Sequence, residues 1–381
     1  MASEAAVSSP ASQPPALQAP VALPPTTKST PAPAPHAPVQ PTVAPAASAD
    51  KSRPAAIADG PHIALLLPLG SKDFGKHAEA VKNGFLTAGK VQGTALPVRI
   101  YSVDDDPQQT VESYIKALAA GARLVVGPLT RNGVTAIMSS AAVLVPTLVL
   151  NVPEGHTSVP PEIYMLSLQI EAEARQVAQL AYQDGLRKAI TVNGDTPLLK
   201  RIHQAFVEEF TRLGGSHVIA YTYTSDPEGL ARIKKAVDTD SVDMAFLALD
   251  VPRARLARPY LGAMPIYATS QVYPGNAGPL AGFDLAGVRF LDMPWLLQPD
   301  HPAVMIYARP EFGESIEIGR FYALGIDAFR VAQMLIAGKA DTALDGVTGR
   351  LTLGRDRQFV RGLTAAQFTD GKLTVPSRAN P

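Results

Sequence analysis

The chain has 381 residues, with 34 Lys and Arg balancing 34 Asp and Glu, and it contains no cysteine. Balanced charge removes any whole-molecule pull on nucleic acid or an anionic membrane, though it leaves room for a local basic patch. The missing thiols exclude disulfides, thiolate nucleophiles and cysteine-based zinc or iron–sulfur centres, and no run of about 18 apolar residues is available to span a bilayer.

Residues 1–60 carry more than a third of the 35 prolines and no Phe, Trp or Tyr. Such a segment cannot bury enough apolar surface to offset a backbone entropy loss of about 1–2 kcal/mol per ordered residue. It is expected to be a disordered Pro/Ala-rich linker, and Pro31-Ala32-Pro33-Ala34-Pro35 favours polyproline II at about 3.1 Å per residue. The start, Met1-Ala2-Ser3-Glu4, has neither the basic start nor the apolar core of a secretory signal. Two readings stay open, a cytosolic protein or an exported one whose signal is not in this sequence, and the linker favours the second.

From His62 the chain alternates short apolar runs with helix-period segments. His62–Pro68 is apolar throughout, as a strand buried on both faces would be. A helix over Asp73–Lys90 would turn Phe74, Ala78, Val81 and Phe85 inward. Val98–Val103 is a second strand. Asp106-Pro107 opens a helix with a capping carboxylate and a first-turn proline, and Val111, Ile115 and Leu118 would face the core. Strands at Arg123–Val126 and Pro146–Leu150 flank a small-residue helix around Thr135–Ala142.

The pattern then restarts. Helices are expected over Glu171–Asp184 and Pro197–Leu213, and strands at Ala189–Val192, His217–Tyr223, Met244–Leu249 and Pro265–Thr269. This is an α/β chain of successive βαβ units, and at about 100–200 residues per domain it is long enough for two doubly wound parallel-sheet lobes with a cleft. Binding sites in such sheets lie beyond the carboxyl ends of the strands. The loops there, 69–75, 104–107, 127–130, 151–156, 193–196, 250–253 and 270–275, are rich in glycine, hydroxyls and carboxylates. They suit a small polar ligand, and equally an ordinary set of turns.

Signatures of catalysis are missing. The 7 histidines show no metal-ligand spacing, and no Gly-x-Ser-x-Gly, phosphate loop or Gly-x-Gly-x-x-Gly follows a strand. No catalytic residue, cofactor or metal is therefore assigned, and Asp104-Asp105-Asp106 has a capping task and no acidic partner nearby. Arg253, Arg255 and Arg258 lie together beside a strand end, either as a solvated face or as a patch for phosphate or an acidic partner surface. The segment Phe290–Leu297 holds the single tryptophan and reads as core packing or as an apolar anchor for a partner.

Several segments in order resemble the type I periplasmic-binding-protein superfamily: Ile63–Pro68 before an Ala-rich helix, Asp104–Pro107, Gly127-Pro128-Leu129-Thr130, Tyr322–Ala328 and Gly346–Leu353. Tyr267-Ala268-Thr269-Ser270-Gln271 and Gly287–Leu297 narrow the resemblance to the LppC/LpoA family of bacterial outer-membrane lipoproteins. The superfamily connectivity implies one lobe from 61–165 plus 297–338, a second from 166–296 plus 339–376, and a tail at 377–381. It also makes Tyr322 and Asp327 structural. The family resemblance implies a non-enzymatic regulator that stimulates a class A penicillin-binding protein, a peptidoglycan synthase. Such a protein sits on the periplasmic face of the outer membrane through a lipid anchor that this cysteine-free sequence lacks. Family members also carry a helical-repeat domain where this chain has its linker.

The alternative implied by the superfamily is a periplasmic solute receptor, with Ser71, Thr130, Asn151, Asp250 and Ser270 as cleft candidates for an amino acid or similar polar ligand. A wall-acting enzyme is the third reading. No nucleic-acid partner is expected.

Overall fold

The computed structural model describes residues 60–155, 158–239, 241–273, 275, 279–310 and 315–376. Of the linker expected over 1–60, residues 1–59 lie outside the described residues, as do His156 and the tail 377–381. Two sheets organise the rest, both belonging to a single compact unit.

The first sheet runs, edge to edge, Val98–Ser102, His62–Leu67, Ala122–Val126, Thr147–Val149, Ile163–Leu166, Gln358–Gly362, Arg350–Leu353 and Leu344–Asp345. Its first six strands are parallel, and the last two pairings are antiparallel. The second sheet runs Ser216–Thr222, Lys188–Asn193, Met244–Ala248, Ile266–Ala268, Val288–Asp292, Thr364–Thr369 and Lys372–Thr374. It is parallel through Val288–Asp292 and antiparallel beyond it. The expected α/β fold of two parallel-dominated sheets is present.

The apolar run of the first strand explains its central place. Ile63, Leu65 and Leu67 point into one core and Ala64 and Leu66 into the other, as the two-residue period of a strand requires. On the first face lie the helices Gly75–Gln92 and Ile316–Ile336, which are remote in sequence and pack directly on each other. Phe85 meets Phe329 edge to face at 5.2 Å between centroids. Leu324, Ala328 and Val331 are buried as the helical period predicts. In the second half, Phe206 stacks on Phe246 with centroids 3.9 Å apart, between the helix Pro197–Arg212 and the central strands.

Four local expectations change. Phe74 is half exposed at the position before the first helix, while Ala78, Val81 and Phe85 are buried. In Pro107–Ala119 the inward residues are Thr110, Tyr114 and Ala117, and Ile115 is exposed. The Tyr114 hydroxyl shares a 2.8 Å hydrogen bond with Thr147 Oγ1, and satisfying that buried phenol turns the helix by one residue. The next helix begins earlier, at Arg131. The loop expected at 250–253 opens a helix, Val251–Ala257.

Chain pairing also departs from the expected division after residue 339. Residues 344–362 join the first sheet, and only 364–374 join the second. Phe359 and Leu351 are apolar plugs of the first core, and the pairing of Gln358 with Met165 and Phe359 with Leu166 seats them there.

The two long helices touch through glycines. A Cβ on Gly325 would stand 2.0 Å from the Val81 carbonyl oxygen, and one on Gly84 would stand 1.9 Å from that of Tyr322. In an open helix interior Gly→Ala stabilises by roughly 0.5–1 kcal/mol. Here Gly325→Ala should instead destabilise by about 1–3 kcal/mol or more, because backbone cannot yield as a side chain can. Urea unfolding of the two proteins checks this; an unchanged or raised midpoint would remove the close approach from the account.

Candidate functional site

The chain passes between the halves near 166–170, after Asp292, and at 362–364. Five residues that no sequence pattern links converge there. Glu173 comes from the first turn of the helix Ile170–Gln183, and Ser270 follows the strand Ile266–Ala268. Asp292 ends Val288–Asp292, Arg320 projects from Ile316–Ile336, and Arg361 lies on Gln358–Gly362. The Arg320 NH2 group donates to Asp292 Oδ2 at 2.6 Å and to the Ser270 carbonyl at 3.3 Å. Glu173 accepts from the Ser270 backbone N–H and, at 3.1 Å, from its hydroxyl. Arg361 donates to the carbonyls of Ser167 at 2.9 Å and Thr348 at 3.5 Å.

Two carboxyls and two guanidiniums thus share one largely buried site. Burial, then the Asp292 charge, pushes the Glu173 carboxyl up to about 7, against the pull of the Ser270 N–H, Arg320 and Arg361. Burial lowers Arg361, with Glu173, Asp292 and Asp327 opposing. Arg320 feels the same burial but stays above the usual arginine value, because Asp292 and Glu173 hold its charge. The arrangement works as a clasp: Arg320, on a helix of the first core, grips two strand ends of the second sheet. Chemically it is a structural ion network, with its donors and acceptors turned toward each other.

Asp327 is a second anchor, fully buried on the same helix. It accepts from Val347 N at 3.0 Å, Thr348 N at 2.7 Å and Thr348 Oγ1 at 2.6 Å, with Arg330 at 3.4 Å. Burial raises its carboxyl, with those contacts opposing. Its structural role follows from these bonds. A further tie across the halves is Arg131 with Glu171 at 3.6 Å, and Glu171 also accepts from Arg201 at 2.8 Å.

The five cleft candidates lie at strand ends, and four of them have side-chain partners of their own. The Ser71 hydroxyl donates to Asp105 Oδ2 at 2.6 Å and accepts from Phe74 N at 2.8 Å. Thr130 is buried just before the helix Arg131–Ser139. Asn151 donates to the Leu129 carbonyl at 3.0 Å and accepts from Val152 N at 3.0 Å. Asp250 caps Val251–Ala257 by accepting from Arg253 N at 3.1 Å and pairs with the Arg253 guanidinium. Ser270 belongs to the clasp. The acidic run divides the same way: Asp106 caps its helix through Gln108 N at 2.9 Å, and among the described residues no group of three or more His, Cys, Asp or Glu is placed to hold a metal.

The three arginines do not form one free patch. Arg253 pairs with Asp250 and lies 3.9 Å from Asp195, Arg255 pairs with Asp284, and Arg258 donates to the carbonyls of Ala286 at 2.7 Å and Gly262 at 2.9 Å. Trp295, Met293 and Leu297 are buried, so the Phe290–Leu297 segment is core. Apart from Ser270, the clasp residues escaped sequence reading because the network is assembled from five separate elements. The signal that could have found them is a lone charge inside an apolar run, such as Asp292 in Phe290-Leu291-Asp292-Met293 or Arg320 ahead of Phe321–Ile326.

A family model described as "LppC putative lipoprotein" matches residues 55–243 and 235–371. The chain belongs to the LppC family. Its curated LppC relatives include the penicillin-binding protein activators LpoA of Pantoea ananatis, 26% identical over 74% of this chain and 48% of that protein, and of Erwinia tasmaniensis, 27% over 71% and 47%. This LppC chain therefore spans about half the length of those relatives. Among solved structures, the Haemophilus influenzae LpoA C-domain, described as a regulator of PBP1A, has TM-score 0.71 and 22% identity over 83% of this chain and all of that one. That likeness speaks for the fold. A Chromobacterium violaceum protein described as "a putative branched-chain amino acid ABC transporter" is 38% identical over 81% of this chain and 100% of that chain, with TM-score 0.71. Family membership places this chain among cell-envelope lipoproteins. The two LppC-like segments, 267–271 and 287–297, are the ones that supply Ser270 and Asp292 to the clasp.

The clasp carries a pH signature. With Glu173 raised from 4.5 to about 7, the folded protein holds a proton there across a window in which the unfolded chain has lost it. Stability from this group is complete below about 4.5 and falls as pH rises toward 7, by on the order of 3 kcal/mol. Glu173→Gln, which keeps the shape of the neutral acid, should flatten that slope. Urea midpoints of both proteins at pH 5 and pH 8 test it, and parallel slopes would refute the assignment.

Proposed function

We propose that this chain is the regulatory body of an outer-membrane lipoprotein that docks on a class A penicillin-binding protein and stimulates peptidoglycan synthesis, facing the periplasm and catalysing nothing itself. The observation that carries the reading is the alignment with activators named LpoA along almost the whole folded part of this chain. The site geometry supports it. The buried charges are matched among themselves, and Ser71, Asn151 and Asp250 are engaged in loop and helix-start hydrogen bonds. A clasped, internally satisfied scaffold suits a protein that acts through its surface.

The test is a pull-down with the cognate synthase combined with an assay of its crosslinking on lipid-linked substrate. We expect co-purification and increased crosslinking, and no turnover of purified sacculi by the chain alone. Absence of both binding and stimulation would end the proposal.

The solute-receptor reading keeps one specific support, the 38% identity to the C. violaceum protein and what that protein is described as. Thermal unfolding with amino acids discriminates. A receptor's ligand at 100 times its Kd adds about 2.7 kcal/mol of stability, and a rise that Asp105→Asn abolishes would favour the receptor over the regulator.

A further inference from the structure

The second sheet has a recess at the end opposite the clasp, where the strands Ile266–Ala268 and Val288–Asp292 begin. Its volume is about 360 Å³, and Asp184, Arg258, Met264, Tyr267, Arg289 and Gln367 are among its lining residues. One wall is a fixed polar group. The Tyr267 hydroxyl donates to Asp184 Oδ2 at 2.5 Å, and Arg289 donates through NH1 to the same oxygen at 2.8 Å and through Nε to Gln367 Oε1 at 3.2 Å. Asp184 therefore neutralises Arg289 and orients its guanidinium.

Arg258 stands differently. Its Nε and NH1 donate to the Ala286 and Gly262 carbonyls, which are neutral, so among the described residues its charge has no carboxylate partner. Two carbonyls fix the guanidinium plane, and NH2 lies 3.4 Å from where a Gly287 Cβ would stand. Partial burial lowers its pKa, a sign that the charge sits in a poor solvent without compensation.

We infer that this recess is a binding site for a small carboxylate, held by the Arg258 guanidinium with Arg289 beside it. The two guanidiniums and one carboxylate leave the recess one positive charge in excess, enough for a monoanion. A planar guanidinium edge matches a carboxylate, whereas a lysine would offer only a point charge. The volume lies at the small end of the roughly 300–1,000 Å³ range of ligand pockets, and Leu186, Met264 and Pro265 supply an apolar wall. The ligand class is thus a carboxylate on a compact apolar body, free or as the C-terminus of a short peptide. The inference does not depend on the proposed function, since the recess is remote from the clasp and from Ser71 and Asp105.

The probes are N-acetylalanine, its uncharged primary amide, the acetylated dipeptide acetyl-Ala-Ala, and inorganic phosphate, titrated into the full chain by calorimetry and by the Met264 methyl resonance. Saturable binding of N-acetylalanine that shifts this resonance is expected, with no response to the amide. Tighter binding of acetyl-Ala-Ala assigns a peptide C-terminus as the source, and weaker binding assigns a free small acid. Arg258→Gln should weaken binding at least tenfold, Arg258→Lys at least threefold, and Asp105→Asn not at all. If Arg258→Gln fails to fold, Arg258→Lys and the Met264 signal carry the test. No saturable binding, equal binding of the amide, tighter binding of phosphate, or undiminished affinity in the folded Arg258 variants would each overturn the assignment.

Discussion

The Arg320–Asp292 pair, with Glu173 and Arg361 beside it, is the constraint on which the two-sheet arrangement turns. Taking an ion out of water costs several kcal/mol, and only close, well-formed partners offset that cost. These partners come from both sheets and from the helix packed on the first one. The charges are therefore tolerable only when the halves keep this relation. The network need not add much net stability to do this; its effect is to make other arrangements expensive, because each would strand a buried charge. Ser270 gives the same point at finer grain, with its amide, hydroxyl and carbonyl all engaged in the network.

Packing supports the electrostatics. Ile316–Ile336 can present Arg320 to the second sheet because its other side is locked to Gly75–Gln92 through Gly84 and Gly325. Two turns further along, Asp327 draws in the loop at 346–348, and from there the chain supplies two more strands to the first sheet, the second carrying Arg361, before it returns to the second sheet. A single helix thus carries the clasp, the loop anchor and the floor of the first core. The polar groups along it are committed to holding the body together.

Much of the fold was legible because it depends on periodicity. The first strand reads as buried on both faces because all six of its residues are, and the helix cap at Asp106 is local chemistry that the sequence displays. Errors arose where a distant partner set the outcome. Tyr114 rather than Ile115 faces inward because Thr147 awaits its hydroxyl. Residues 344–362 join the first sheet because Phe359 and Leu351 complete a core that the early strands leave open. Of the site candidates, Ser270 alone reached the clasp, and Arg258 separated from its two neighbours because their acids, Asp250 and Asp284, lay within reach while its own neighbours were carbonyls.

By itself the sequence determined the α/β class, the early alternation of strands and helices, and the family, since these follow from local alternation of apolar and polar residues and from short segments read in order. Only the tertiary structure decided which charges meet. Glu173, Asp292, Arg320 and Arg361 are spread over nearly two hundred positions, and no spacing rule connects residues whose proximity is created by two sheets and three crossings of the chain. The same holds for the recess at Arg258: its excess charge becomes visible once folding has given its neighbouring arginines an acid and left this one with none among the described residues.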